Sequence, residues 1–121
     1  MNEPKVFESE YRFLKILWED EPISSGELVK KCFEKLSWKR TTTYTVIKRL
    51  SERGIVSNEN SVVTALVSKE EIQDAEMGEL IRNRFDDSVP SFLASFTRRQ
   101  KLSDQEIDEL KTLIESLRKD G

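Results

Sequence analysis

The stretch WKRTTTYTVIKRLSERG, residues 38–54, decides how this chain reads. It sets five cations (Lys39, Arg40, Lys48, Arg49 and Arg53) against one acid, Glu52. Thr41, Thr42, Thr43, Tyr44 and Thr45 lie among the cations, and Val46, Ile47 and Leu50 supply an apolar edge. The β-branched residues at 41–43 and 45–47 are poor helix formers, because a helix restricts their χ1. A strand is still the wrong reading. Its apolar residues would alternate, whereas Val46, Ile47 and Leu50 follow the helical period. The stretch predicts a helix from about Lys39 or Thr41 to Arg53, stopped by Gly54 in the left-handed position that follows a helix. A helix with one apolar edge and one face of short hydroxyls, an aromatic ring and cations suits a nucleic-acid groove. Phosphates attract Lys and Arg, and base edges need short or planar groups that can come close.

Upstream, residues 1–7 read as a frayed lead. Ser9 is placed to cap a helix running to about Glu19, with Tyr11, Leu14, Leu17 and Trp18 on its apolar stripe and Phe13 and Ile16 widening it. Trp18 reads as a core anchor. The run before Pro22 ends this helix, since the residue before proline resists helical dihedrals. Ser24 with Glu27 has the spacing of a capping box, and Ile23 with Leu28 that of a hydrophobic staple. A second helix then runs to about Leu36, with Leu28, Val29, Cys32, Phe33 and Leu36 as its apolar positions. Cys32 lies on that stripe and reads as a small buried hydrophobe. Ser37 and Trp38 form the junction to the third helix, where Trp38 packs the helix start.

Downstream, two short β-rich runs, 55–57 and 61–68, flank Asn58, Glu59 and Asn60 and predict a β-hairpin. Ser68 with Glu71 caps a fourth helix whose stripe is Ile72, Ala75, Met77, Leu80, Ile81 and Phe85. Residues 86–88 end it. Pro90 opens a short helix, PSFLASF, carrying Phe92, Leu93 and Phe96. Ser103 with Glu106 caps the last helix. Its Ile107, Leu110, Leu113, Ile114 and Leu117 form a seam for another helix.

Bulk properties narrow the chemistry. The chain has 121 residues, a net charge of −3, one cysteine and no histidine. No intramolecular disulfide can form, and no zinc or copper site or cofactor is indicated. Without histidine, the commonest general base and the usual catalytic triads are gone, so no enzyme chemistry is visible. No apolar run reaches the ~20 residues that span a membrane, and the N-terminus has no signal-peptide core. The expected location is the cytoplasm. Charge is unevenly spread. Residues 1–68 hold 11 basic and 10 acidic groups, residues 69–121 hold 9 and 13. The positive patch at 38–54 is therefore local, and local clustering matters more than overall charge.

Three helices and a hairpin make a winged helix-turn-helix over residues 1–68, with the second and third helices as the pair and the third entering the major groove. Residues 69–121 form a second, helical domain, giving a mainly α protein. Its helices are too one-sidedly apolar to stand alone. They either cover the first domain or pair with a second copy, and dimerisation is the preferred reading. The dimerisation residues are then Leu80, Ile81, Phe92, Phe96, Ile107, Leu110, Leu113, Ile114 and Leu117. On the recognition helix, Thr41, Thr42, Tyr44, Thr45 and Lys48 are expected to face the groove, and Lys39, Arg40 and Arg49 to bind phosphate. A rival reading keeps the winged helix but makes it a protein-interaction module whose basic face is incidental.

From ESEYRFLKILWE (8–19) through WKRTTTYTVIKRLSERGIV (38–56) to KLSDQEIDELKTLIESL (101–117), the chain resembles the penicillinase-repressor (BlaI/MecI) family of winged-helix transcriptional repressors. The matching features are Glu10 and Trp18, then Trp38, Thr42, Thr45, Arg49, Leu50 and Gly54, then LSDQEIDEL at 102–110. The resemblance implies a homodimer on a dyad-symmetric operator of double-stranded DNA. It also implies derepression by cleavage in the dimerisation domain, triggered indirectly by a membrane-bound sensor protease. The family's scissile bond corresponds here to Ser95–Phe96, with Ser95 where penicillin-responsive members usually carry Asn. Thr41 and Tyr44 stand where penicillinase-type members often carry cations, so the operator is expected to differ. The cysteine cluster of the copper-responsive branch has no counterpart in residues 97–121.

Overall fold

The computed structural model describes residues 4–118. The expected lead at 1–7 therefore falls partly, at residues 1–3, outside the described residues. Elements run α1 (Glu8–Asp20), β1 (Ile23–Ser24), α2 (Ser25–Leu36), α3 (Arg40–Glu52), β2 (Val56–Glu59), β3 (Val62–Ala65), α4 (Lys69–Arg84), α5 (Val89–Arg99) and α6 (Asp104–Arg118). They form two compact units, dividing between Gly78 and Glu79 within α4.

In the first unit the core is made by Phe13, Leu14, Ile16 and Leu17 of α1, Leu28 and Cys32 of α2, Val46, Ile47 and Leu50 of α3, and Ile23, Ile55, Val56 and Val63 around the sheet. Burial settles the conflict between period and propensity on α3. Six β-branched residues at up to ~0.7 kcal/mol each cost the helix ~4 kcal/mol at most. Burying Val46, Ile47 and Leu50 contributes ~1.5–3 kcal/mol apiece, and they meet the core only on a helix. The C-terminus of α3 closes as a Schellman motif. Gly54 N–H donates to the Ser51 carbonyl at 3.1 Å and Ile55 N–H to that of Leu50 at 2.9 Å, with Gly54 at φ 75. Leu50 and Ile55, the apolar pair that goes with this motif, are both buried.

The sheet has three strands in the order β1-β3-β2, all antiparallel. Sequence reading expects only the hairpin. The added strand is Ile23–Ser24, which pairs with Val63 and Val62. Two residues carry no strand periodicity, so only the long-range pairing defines this strand. The hairpin turn also shifts from its expected place at 58–60. Asn58 and Glu59 pair with Val63 and Val62, and the turn is Asn60 and Ser61, both at positive φ (54 and 62). Two left-handed turn residues match the twist of the flanking strands.

The first cap differs too. Ser9 lies inside α1, and Phe7 is the N-cap residue. Its N–H is taken by the Glu10 carboxylate at 2.9 Å. Ser24 caps α2 through Glu27 N–H at 3.1 Å. At the far end of α2, Ser37 takes the left-handed conformation, φ 57, with Trp38 N–H on the Cys32 carbonyl at 3.3 Å. Lys31 reaches back to Asp20 at 2.6 Å, a hydrogen bond that raises the lysine pKa. Trp18 donates its indole N–H to the Val67 carbonyl at 3.0 Å, and the Glu21 carboxylate receives Ala65 N–H at 2.8 Å. Together they tie α1 to the end of β3.

The expected capping boxes of the later helices form with both arms. Ser68 N–H and Glu71 N–H exchange side chains at 3.0 Å each, and Ser103 with Glu106 do so at 2.9 and 3.1 Å. Helix α5 is longer than the predicted PSFLASF, because Ser88 caps it through Ser91 N–H and it continues to Arg99. Of the stripe expected on α4, only Ile72 is buried.

Candidate nucleic-acid interface

The core claims one side of α3, at Thr43, Val46, Ile47 and Leu50. At 100° per residue, Thr41, Thr42, Thr45, Lys48 and Arg49 then share an opposite arc of about 120°. All five are exposed, as are Lys39 and Arg40 at the start of the helix. Two features make this face available. Among the described residues, the Lys39, Lys48 and Arg49 side chains have no ion pair or hydrogen bond, and neither do the hydroxyls of Thr41, Thr42 and Thr45. A helical threonine often spends its hydroxyl on a carbonyl in the preceding turn, and here the three hydroxyls stay open for other partners.

Thr43, Tyr44, Trp38 and Arg53 of the stretch are turned toward the fold, where, among the described residues, the buried Thr43 and Ser51 hydroxyls have no hydrogen-bond partner. Thr43 is buried near Cys32, whose thiol pKa is pushed up by burial. Tyr44 sits at the edge of the arc and is half-buried against the core. Its hydroxyl donates to Ser25 Oγ at 3.4 Å, and Arg40 lies over its ring at 5.4 Å. The half-buried Trp38 stacks on Phe13, centroids 6.2 Å apart and planes within 5°, which fixes the start of α3. Arg53 is spent internally. Its Nη1 meets Glu10 Oε2 at 2.7 Å, Nη2 donates to the Lys5 carbonyl, and the guanidinium covers the Phe7 ring. Sequence reading counts Arg53 among the basic cluster and misses this pairing. Its signal is Glu10, an acid buried to 4% exposure on an apolar face, which demands a partner.

The wing adds no positive charge, since residues 56–65 hold Glu59 and no Lys or Arg. Of the wing and α3, only α3 and the residues leading into it offer cations.

In the second unit, no side chain of residues 79–118 is buried. Phe85, Phe92 and Phe96 form a short aromatic run, with Phe92 edge-on to Phe85 and stacked on Phe96. An open apolar groove is lined by Phe92, Leu93, Phe96, Leu102, Leu110 and Leu113. Of the residues expected at a dimer interface, Ile81, Phe92 and Leu110 are half-buried. Leu80, Phe96, Ile107, Leu113, Ile114 and Leu117 are between 37% and 62% exposed. Ser95 and Phe96 lie inside α5, so the bond between them is helical.

The family model described as penicillinase repressor matches residues 7–116. The chain is 21% identical over 116 residues to the penicillinase repressor of Bacillus licheniformis, covering 93% of this chain and 91% of that protein. It is 22% identical over 114 residues to the methicillin resistance regulatory protein MecI of Staphylococcus aureus, covering 91% and 93%. Two solved structures share the fold of the first unit. One is the solution structure of the DNA-binding domain of the repressor BlaI, with a TM-score of 0.53, 20% identity and coverage of 58% of this chain and 90% of that one. The other is the solution structure of monomeric BlaI of Bacillus licheniformis in complex with the blaP half-operator, with a TM-score of 0.51, 22% identity and the same coverage.

Proposed function

Because the chain belongs to the penicillinase-repressor family, we propose that it is a DNA-binding transcriptional repressor that reads duplex DNA with the exposed arc of α3. The observation that carries this reading is the availability of that arc, whose three open hydroxyls are flanked by cations without internal partners. Thr41, Thr42, Thr45 and Lys48 face base edges, and Lys39, Arg40 and Arg49 take phosphates. Tyr44 is half-buried at the edge of the arc, with its hydroxyl turned to Ser25. The relatives are named as repressors, and one neighbouring structure holds a half-operator. Both support DNA as the partner.

The working form is a homodimer joined through α4, α5 and α6, which from residue 79 onward have no fully buried side chain. A two-fold dimer places two recognition helices on half-sites about one helical turn apart. Release by a sensor-triggered protease would cut at Ser95–Phe96. Because that bond is helical, α5 must first unwind locally. Among the described residues no helix is long and apolar enough to cross a membrane. A repressor acts where the DNA is, which places it in the cytoplasm.

The deciding experiment is a gel-shift titration against DNA from upstream of the protein's own gene, with and without random competitor. A shifted band that resists competitor supports the repressor reading. Equal loss to random DNA favours the rival, in which the winged helix docks a protein.

A further inference from the structure

Helix α3 packs its backbone against α2 and β2. It shares a core with α1 through Val46, Ile47 and Leu50, and two further side-chain ties to α1 sit near its two ends. At the start, Trp38 stacks on Phe13. At the end, Arg53 meets Glu10, one turn earlier on α1, at 2.7 Å. The second link is the more demanding. The Glu10 side chain is 5% exposed and that of Arg53 is 37% exposed, so a carboxylate is held almost out of water by a half-exposed guanidinium. Both Glu10 oxygens are used, since Oε1 also accepts Phe7 N–H at 2.9 Å. Arg53 uses its second nitrogen on the Lys5 carbonyl and its face on Phe7. The segment before α1 is thus closed over the C-terminal end of the recognition helix.

We infer that the Glu10–Arg53 pair is a positioning device for DNA reading, setting the tilt of α3 without touching DNA. The inference rests on the repressor reading above. Over its 13 residues α3 rises about 18 Å. Its middle is held by Val46, Ile47 and Leu50, and freeing one end lets it pivot there. A binding constellation tolerates only about 0.5 Å of misplacement, which a tilt of a few degrees already produces at the helix ends. Arg53 is therefore a fifth cation of the recognition stretch that contributes geometry and no phosphate contact.

The test uses the full-length protein with Arg53→Gln and Glu10→Gln, titrated on operator and on random duplex across a salt series. Circular dichroism first fixes a temperature at which each variant is folded. Positioning predicts that both variants lower the operator-to-random affinity ratio by about tenfold, within the contribution of one base contact, while the salt slope stays unchanged. Arg53→Lys, which keeps the charge opposite Glu10, is expected to restore part of the ratio. If Arg53→Gln alone weakens binding to both DNAs and flattens the slope by about one unit, Arg53 is a phosphate contact and the inference falls. An unchanged ratio in both folded variants reduces the pair to a stability element and also overturns it. Should Arg53→Gln not fold, Glu10→Gln decides alone, because it keeps an acceptor for Phe7 N–H. Failure of the repressor reading looks different, since the unmodified protein would then show no operator preference at all.

Discussion

Replacing Leu110 and Leu113 together by Asp tests the proposed dimer where the structure is most explicit. Phe96, Ile107, Leu113, Ile114 and Leu117 are 45%, 37%, 56%, 49% and 62% exposed within one chain. Full burial of such a side chain contributes ~1.5–3 kcal/mol, so covering the exposed half contributes ~1 kcal/mol each. Two chains then gain about 10 kcal/mol from these five positions. Association itself costs ~4–15 kcal/mol. The two quantities are comparable, so the interface holds only if nearly all of it engages. The double substitution removes four apolar side chains from the dimer, about 4 kcal/mol, and places four carboxylates in the seam. Since 1.4 kcal/mol is tenfold in affinity, the dimer dissociation constant is expected to rise at least ~1,000-fold. Sedimentation velocity at micromolar concentration should show a monomer, with the helical signal retained. No residue of 79–118 is fully buried within its own chain, and of the two substituted only Leu110 is half-buried, so the change removes little intrachain packing. A dimer whose affinity stays within tenfold of the unmodified protein would refute the seam and the reasoning from exposed area.

Arg49→Ala should weaken binding to every duplex and flatten the dependence of log affinity on log salt by ~0.9 for each protomer engaged; an unchanged slope would remove Arg49 from the phosphate contacts. Thr45→Ala should cost ~1–3 kcal/mol of discrimination at one base position, and equal losses on operator and random DNA would rule out base reading there. Ser37→Gly should stabilise the first unit by about 0.5 kcal/mol, because Ser37 holds φ 57 at the end of α2 and glycine accepts that conformation freely. A lower denaturation midpoint would contradict this. Burial raises the Cys32 thiol pKa, so the folded chain keeps its proton at a pH where the unfolded chain, near 8.5, has begun to lose it. The resulting stability is present below that pH and is lost as pH rises through the folded pKa. Urea unfolding at pH 7 and pH 9.5 should accordingly show the unmodified protein losing stability relative to Cys32→Ala; no difference would place the thiol in water, and the opposite trend would mean a stabilised thiolate.

Period and local chemistry made most of the fold legible. Leu28 and Cys32 on α2, Val46, Ile47 and Leu50 on α3, and the capping boxes at Ser68 and Ser103 are each specified by neighbours within one or two turns. What escaped depends on distant partners. Ile23 and Ser24 become a strand only because Val62 and Val63 lie opposite. Phe7, which has no side chain able to cap, ends as the N-cap because Glu10 takes its N–H while also holding Arg53. Ser37 takes the left-handed position without the glycine that usually marks it. The wing turn fell at Asn60 and Ser61, since an Asn-rich run offers several turn registers and pairing with β3 selects one. On the site, the cations of residues 38–54 look alike in the sequence. Only the fold separates Arg53, bound to Glu10, from Lys39, Lys48 and Arg49.

The exposed arc of α3 also explains why its sequence suits a helix so poorly. Stability would fill Thr41, Thr42 and Thr45 with Ala, Glu or Lys, each several tenths of a kcal/mol better in a helix. Those residues are wrong for a groove. Ala has no donor or acceptor, Glu repels phosphate, and Lys donates but cannot accept. Threonine is short and carries both a donor and an acceptor beside a methyl group. The helix can carry three of them outward because its order comes from elsewhere, from the buried edge, the Schellman closure at Gly54 and the two side-chain ties to α1. Rigidity supplied from behind is what frees the front face to be chosen for chemistry. The mismatch between propensity and structure at the outward Thr41, Thr42 and Thr45 therefore fits the proposed reading surface, while that at Thr43, Val46 and Ile47 belongs to the buried side.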